Sequence, residues 1–81
     1  MFIGRTEITR EEFERNKELT KRMYSLIEKH RTDCFLSAHY ICADIGISYR
    51  TYMGLNGEDR YTVIFTLRKI KNFLDKHGLS L

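Results

Sequence analysis

The sequence has no proline and no tryptophan, only two cysteines and five glycines, and no apolar run longer than a few residues. Each shortage removes a class of protein. Without proline, nothing interrupts a helix by a missing amide and a ring clash. Cys34 and Cys42 are too few for a disulfide-stapled scaffold, so both are expected as reduced, buried thiols. The short apolar runs leave no membrane span, and the opening MFIGRTEITREE lacks the apolar block of a secretion signal, which points to a cytoplasmic address. There is also no glycine-rich phosphate loop, no Ser/His/Asp order and no carboxylate pair in an apolar setting. Neither an enzyme nor a cofactor is therefore expected.

What is present fits a small binding module. A chain of 81 residues makes one domain. A domain of this size buries about 60–65% of its unfolded surface, which leaves room for one binding face and little for a ligand pocket. The apolar fraction of 42%, with five Tyr and five Phe, is that of a globular chain. Fourteen Lys and Arg against 11 Asp and Glu give a net charge of +3, which suits an anionic partner. His30, Cys34, His39 and Cys42 offer four soft donors, but they lack the close Cys-x-x-Cys or His-x-x-x-His pairs of zinc sites, so no metal is expected.

The apolar spacing predicts helices. Thr9 followed by Glu12 reads as a capping box, and Glu11 and Glu12 suit the helix dipole. Phe13, Leu19, Met23, Tyr24 and Ile27 then carry a long amphipathic helix over about 9–30. Before it, MFIGRTEI reads as a short strand or arm. After it, RTDCFL reads as a connector whose apolar residues tuck under the core. Ser37 is a good N-cap for a second helix, with Ala38, Ile41, Cys42 and Ile45 on one face. Gly46 then supplies a left-handed stop, Ile47 fills the angle, and Ser48 caps a third helix at once, so that about 37–56 reads as a helix-turn-helix. A last helix over about 62–77 starts after Asp59 or Thr62 and stops at Gly78. Its expected buried stripe is Val63, Leu67, Ile70, Phe73 and Leu74, with Arg68, Lys69, Lys71 and Lys76 around it. The fold class expected is all-α, with four to five helices and a short N-terminal arm or strand.

Ile41, Cys42, Ile45, Gly46, Ile47, Ser48, Thr51, Tyr52 and Leu55 resemble the helix-turn-helix signature of the lambda repressor/Cro class of transcription regulators. GISYRT followed by LNG also resembles the lactose-repressor type of the motif. YTVIFTLRKIKNFLDKHG is similar to the helix that follows it in lambda-repressor-like domains, with Leu67, Ile70 and Leu74 in the closing Leu-x-x-Ile-x-x-x-Leu pattern. The likeness covers 35–77. Cys42 departs from the usual alanine and Tyr52 from the usual Val or Ile. Gly54 lies inside the third helix, LNG arrives one residue early so that this helix is short, and the first helix is longer than its counterpart.

The resemblance implies a sequence-specific regulator of double-stranded DNA, a repressor of a phage or other mobile element, acting as a homodimer on a two-fold operator. A helix fits the major groove, and in this motif the second of the two helices reads base edges there. With Ile47, Tyr52 and Leu55 inward, Ser48, Tyr49, Arg50, Met53 and Gly54 face outward. Arg50 can grip one guanine with two hydrogen bonds, Tyr49 can meet a base or phosphate, and Met53 offers an apolar contact. Ser37 and the second helix's amides suit phosphate, with His39 and Tyr40 outward. Asn56 in the turn NGED is a further phosphate contact, opposed by Glu58 and Asp59. Lys21, ahead of Lys17, Arg22 and Arg31, is the candidate for holding the DNA backbone. The dimer surface is sought at MFI, at LSL or on the exposed side of the first helix. The alternative is a helical protein-interaction module, an adaptor or antagonist, of the same shape.

Overall fold

Thr9 opens the longest helix of the chain: its backbone is extended (φ −79°, ψ 162°) and its Oγ1 accepts the Glu12 amide at 3.1 Å. The computed structural model describes residues 2–3, 6–57 and 61–79, and among them four helices form almost all of the regular structure. Helix α1 spans Arg10–Asp33, three residues past the expected end. Ahead of it, β1 (Phe2–Ile3) and β2 (Thr6–Glu7) pair antiparallel, Phe2 opposite Glu7 and Ile3 opposite Thr6. Of the two N-terminal alternatives, the strand is the one that forms.

Helix α2 spans Ala38–Ile45 and α3 Tyr49–Gly54. Ser37 Oγ accepts the Tyr40 amide at 3.1 Å, and Ser48 Oγ accepts the Thr51 amide at 3.1 Å, so both expected caps close. Gly46 sits between them at φ 90°, ψ 33°, where a side chain is strained. Its carbonyl accepts Lys69 Nζ at 3.0 Å, tying the turn to the last helix. A Cβ at Gly46 would meet nothing closer than Lys69 Cδ at 4.0 Å. Gly46→Val therefore acts through backbone strain alone and is expected to cost more than about 1 kcal/mol. A thermal melt checks this; an unchanged midpoint would show that the turn tolerates a side chain.

Helix α4 spans Ile64–Lys76 and differs from expectation at its start. Its N-cap is Val63, with no side-chain hydrogen bond, instead of Thr62; Asp59, the other candidate, lies outside the described residues. Thr62 is held elsewhere: Asn16 Oδ1 accepts its amide at 2.8 Å, and Asn16 Nδ2 donates to its carbonyl at 2.9 Å. That clasp keeps Thr62 out of the helix; Val63 follows it, still extended (φ −69°, ψ 156°), and the helix begins at Ile64. Val63 is then exposed and leaves the buried stripe, which starts at the half-buried Leu67 and continues through Ile70, Phe73 and Leu74.

The core gathers Met23 and Ile27 of α1, Ile41, Cys42 and Ile45 of α2, Tyr52 and Leu55 around α3, and Ile70, Phe73 and Leu74 of α4. Cys42 is buried, and burial raises its thiol pKa, as suits an inert core residue. The connector behaves differently from expectation. Leu36 packs against the core, but Cys34 is exposed and Phe35 points fully into solvent, because the chain turns sharply at the end of α1.

Candidate functional site

Helix α3 has only six residues and is held by what lies beneath it. Tyr52 and Leu55 are buried, which turns Tyr49, Arg50 and Met53 outward on the opposite face. Tyr49 and Met53 keep 44% and 46% of their surface in water. Leu55 N bonds Tyr52 O and Gly57 N bonds Gly54 O, so the helix tightens into a turn directly after Gly54, which is half-buried. Asn56 is exposed in that turn; Glu58 and Asp59 lie outside the described residues.

Across the turn, His39 near the start of α2 stacks on Tyr49 at the start of α3, with ring centroids 4.6 Å apart and planes 24° from parallel. Tyr40 is exposed beside it. The structure thus brings Ser37, His39, Tyr40, Ser48, Tyr49, Arg50 and Met53 to the paired starts and outer faces of α2 and α3. Ser48 is exposed but fully engaged: besides accepting from Thr51 N, its Oγ donates to Thr51 Oγ1 at 2.8 Å. It holds the start of α3 and has no proton left to offer.

The basic residues of α1 are placed less simply. Lys21 is half-buried. Lys17 pairs with Glu14 at 3.4 Å and Arg22 with Glu18 at 3.5 Å, weak surface pairs that salt and ligands displace. Arg31, a lesser candidate for holding the DNA backbone, is engaged within the fold. It bonds the Glu28 carboxylate and donates from Nη1 to the Leu36 carbonyl at 3.1 Å, fastening the α1–α2 connector. Through that Arg31 hydrogen bond, Glu28 is held below the usual carboxylate range. Tyr24 Oη donates to Glu28 Oε1 at 3.1 Å, and burial first, then this bond, raises the Tyr24 pKa.

From Phe35 to Gly57 the chain carries a single carboxylate, Asp44. Lys76 of α4 neutralises it, with Nζ 3.1 Å from Oδ1, and the ring of His77, just past the helix, bonds Oδ2 through Nε2 at 3.2 Å; the Lys76 bond foremost lowers the Asp44 pKa. The outer face of α2 and α3 is therefore free of uncompensated negative charge. The acidic residues Glu11, Glu12, Glu14 and Glu18 lie instead in the first half of α1.

The four soft donors disperse. His39 stacks on Tyr49 and Cys42 is buried, while His30 packs edge-on against Phe73 and lies 4.7 Å from the His77 ring. Only Cys34 stays near His30, with Sγ to Nδ1 at 3.9 Å. Among the described residues no three His, Cys, Asp or Glu side chains come together as a metal-holding group, and no helix is long and apolar enough to cross a membrane.

No family model, curated protein sequence or solved structure matches the chain.

Two features of the surface give no sign in the sequence spacing. Phe35 is 96% exposed, and Val63, Ile64 and Phe65 form an exposed apolar start to α4, with Phe65 at 70%. Beside the latter, Thr51, Gly54, Leu55, Tyr61, Thr62 and Thr66 border a hollow of about 190 Å³. Periodicity marks which residues can share a face, but it leaves open which faces stay uncovered.

Proposed function

We propose that this domain binds double-stranded DNA through the outer face of α3, as a sequence-specific transcription regulator. One observation carries the reading. The face that presents Tyr49, Arg50 and Met53 lies opposite buried Tyr52 and Leu55 and is flanked by the capped start of α2, and the one carboxylate within α2 and α3, Asp44, is paired with Lys76. An α-helix with an arginine near its N-terminus and no carboxylate of its own suits the major groove. The start of α2, with His39 and Tyr40, suits the adjoining phosphates. Action as a homodimer on a two-fold operator, as a repressor in a phage or other mobile element, belongs to the same proposal and rests on the sequence resemblance.

Selection of bound sites from a random duplex pool tests the proposal, since it reports sequence preference and half-site spacing together. On the selected site, Arg50→Ala is expected to weaken binding by about 1–3 kcal/mol, or roughly 5–150-fold, and to weaken binding to random duplex much less. Lys21→Ala is expected to act evenly on all sequences and to reduce the salt slope by about one. Equal losses on both duplexes for Arg50→Ala would make it a backbone contact and not a base reader.

A protein-interaction module is the second reading, and the exposed Val63, Ile64 and Phe65 favour it. Under that reading, random duplex does not bind even at low salt.

A further inference from the structure

Helices α1 and α4 end in the same way, and the comparison isolates one residue. At the end of α4, Gly78 N donates to Asp75 O at 3.2 Å and Leu79 N to Leu74 O at 2.8 Å, with Gly78 left-handed at φ 66° and Leu79 packed on the core. At the end of α1, Phe35 N donates to Thr32 O at 3.3 Å and Leu36 N to Arg31 O at 2.9 Å, with Phe35 left-handed at φ 57° and Leu36 packed on the core. Both are the hydrogen-bond pattern that closes a helix through a left-handed residue, a place glycine fills without strain. Among the described residues, three helix ends close through a left-handed residue, with glycine at Gly46 and Gly78 and a bulky aromatic at Phe35 alone.

Phe35 is disfavoured there twice. A bulky side chain at positive φ is strained, and a phenylalanine with 96% of its surface in water forgoes burial. Nothing in the fold repays either cost, since the neighbouring hydrogen bonds use only its backbone and the core contact is made by Leu36. A side chain held in this position is positioned for something outside the fold.

We infer that Phe35 is an apolar contact to duplex DNA, made at the sugar and base edge beside the phosphates that meet the start of α2. The inference rests on the DNA-binding reading above. Its placement argues for that partner: Phe35 lies two residues before Ser37, the cap of α2. It opens the Phe35–Gly57 segment, whose only carboxylate, Asp44, is paired with the Lys76 ammonium and hydrogen-bonded by His77. Within that segment a polyanion meets no unpaired carboxylate, the nearest acid in sequence to Phe35 being Asp33 at the end of α1, and a phenylalanine supplies what cationic side chains do not, a contact that releases no counterions.

Phe35→Gly and Phe35→Asn, both tolerant of positive φ, are compared with Phe35→Tyr and wild type on a random-sequence duplex of about 30 bp, at several salt concentrations. The thermal midpoint of Phe35→Gly is expected to rise by about 4 °C as the strain is relieved. Its affinity, and that of Phe35→Asn, is expected to fall about tenfold or more with the salt slope unchanged, while Phe35→Tyr stays within about threefold of wild type. If wild type binds and Phe35→Gly binds equally well, the inference is overturned and the DNA-binding reading stands. If wild type does not bind at low salt, the DNA-binding reading itself has failed. A lower midpoint in Phe35→Gly, or a changed self-association by sedimentation without DNA, would assign Phe35 to the fold or to a second copy of the chain and would equally overturn it.

Discussion

Replacing Tyr52 by alanine is expected to destabilise the domain by about 3–5 kcal/mol, and replacing it by phenylalanine to cost nothing or to stabilise slightly. The residue is fully buried, at 0% exposure, and its ring lies 5.2 Å from that of Tyr24, tilted by 38°. Truncation to alanine removes an aromatic ring from between α1 and α3 and leaves a cavity that helices on several sides cannot all close. The hydroxyl is another matter. Tyr52 Oη is buried and makes no hydrogen bond of ordinary geometry, although it faces the Glu28 carboxylate closely enough to interact with it; burial first, then that contact, raises its pKa far above the ordinary tyrosine value. Phenylalanine keeps the packing and removes an unpaired polar atom. Urea unfolding of both variants measures the two effects, with unchanged slopes marking a change in the native state only. A loss above about 1 kcal/mol in Tyr52→Phe would show that the hydroxyl is bonded in solution, with Glu28 as the acceptor. Because α3 has six residues and no stability of its own, Tyr52→Ala is also expected to abolish whatever its outer face binds.

The local signals in the sequence are those that act within a few residues, and they transfer well to the structure. Thr9, Ser37 and Ser48 each sit before an apolar-periodic stretch and each cap a helix, since a side-chain oxygen three residues before an amide needs no tertiary partner. Gly46 and Gly78 end helices for the same reason. Burial of Tyr52 and Leu55 with exposure of Tyr49, Arg50 and Met53 follows from helical spacing once the helix exists.

What was not legible depends on contacts between distant residues. Thr62 looked like a cap, yet its backbone is taken by Asn16, a partner that no spacing rule reveals. A signal for Asn16 did exist: with Thr20 it stands on the same helical stripe as Met23 and Ile27, where a polar residue is out of place unless bonded. Arg31 could be read as a basic contact because its hold on Glu28 and Leu36 O appears only when the connector folds back. Phe35 was expected inside because it is apolar; the closing pattern at the end of α1 commits its backbone, and Leu36 takes the one inward position. For the candidate site, the composition of the α3 face was legible. The neutralisation of Asp44 from α4 and the His39–Tyr49 stack were not, since both join separate helices.

Asn16→Ala is expected to cost about 2–5 kcal/mol, as much as a core truncation, although it removes no large apolar group. The asparagine amide makes two buried hydrogen bonds to one residue 46 positions away in sequence, 2.9 Å to the Thr62 carbonyl and 2.8 Å from the Thr62 amide. Alanine leaves both backbone groups buried without a partner, at about 1–3 kcal/mol each. The clasp also fixes where α4 begins, so its loss frees Val63, Ile64 and Phe65 as well as the approach to the hollow behind α3. Asn16→Asp separates hydrogen bonding from packing. Its carboxylate still accepts from the Thr62 amide but faces the Thr62 carbonyl, so the ionised form is disfavoured in the fold and the pKa of Asp at position 16 is raised above its unfolded value of about 3.9. Stability in that variant is therefore retained below about pH 4, where the protonated acid can donate to the carbonyl, and is lost as pH rises through the folded value. Relative to wild type at each pH, Asn16→Asp should be nearly as stable in acid and clearly weaker at neutral pH. Thermal melts of wild type, Asn16→Ala and Asn16→Asp across that range decide the matter: an Asn16→Asp deficit that does not shrink in acid would show that the site needs the amide's shape and not its donor.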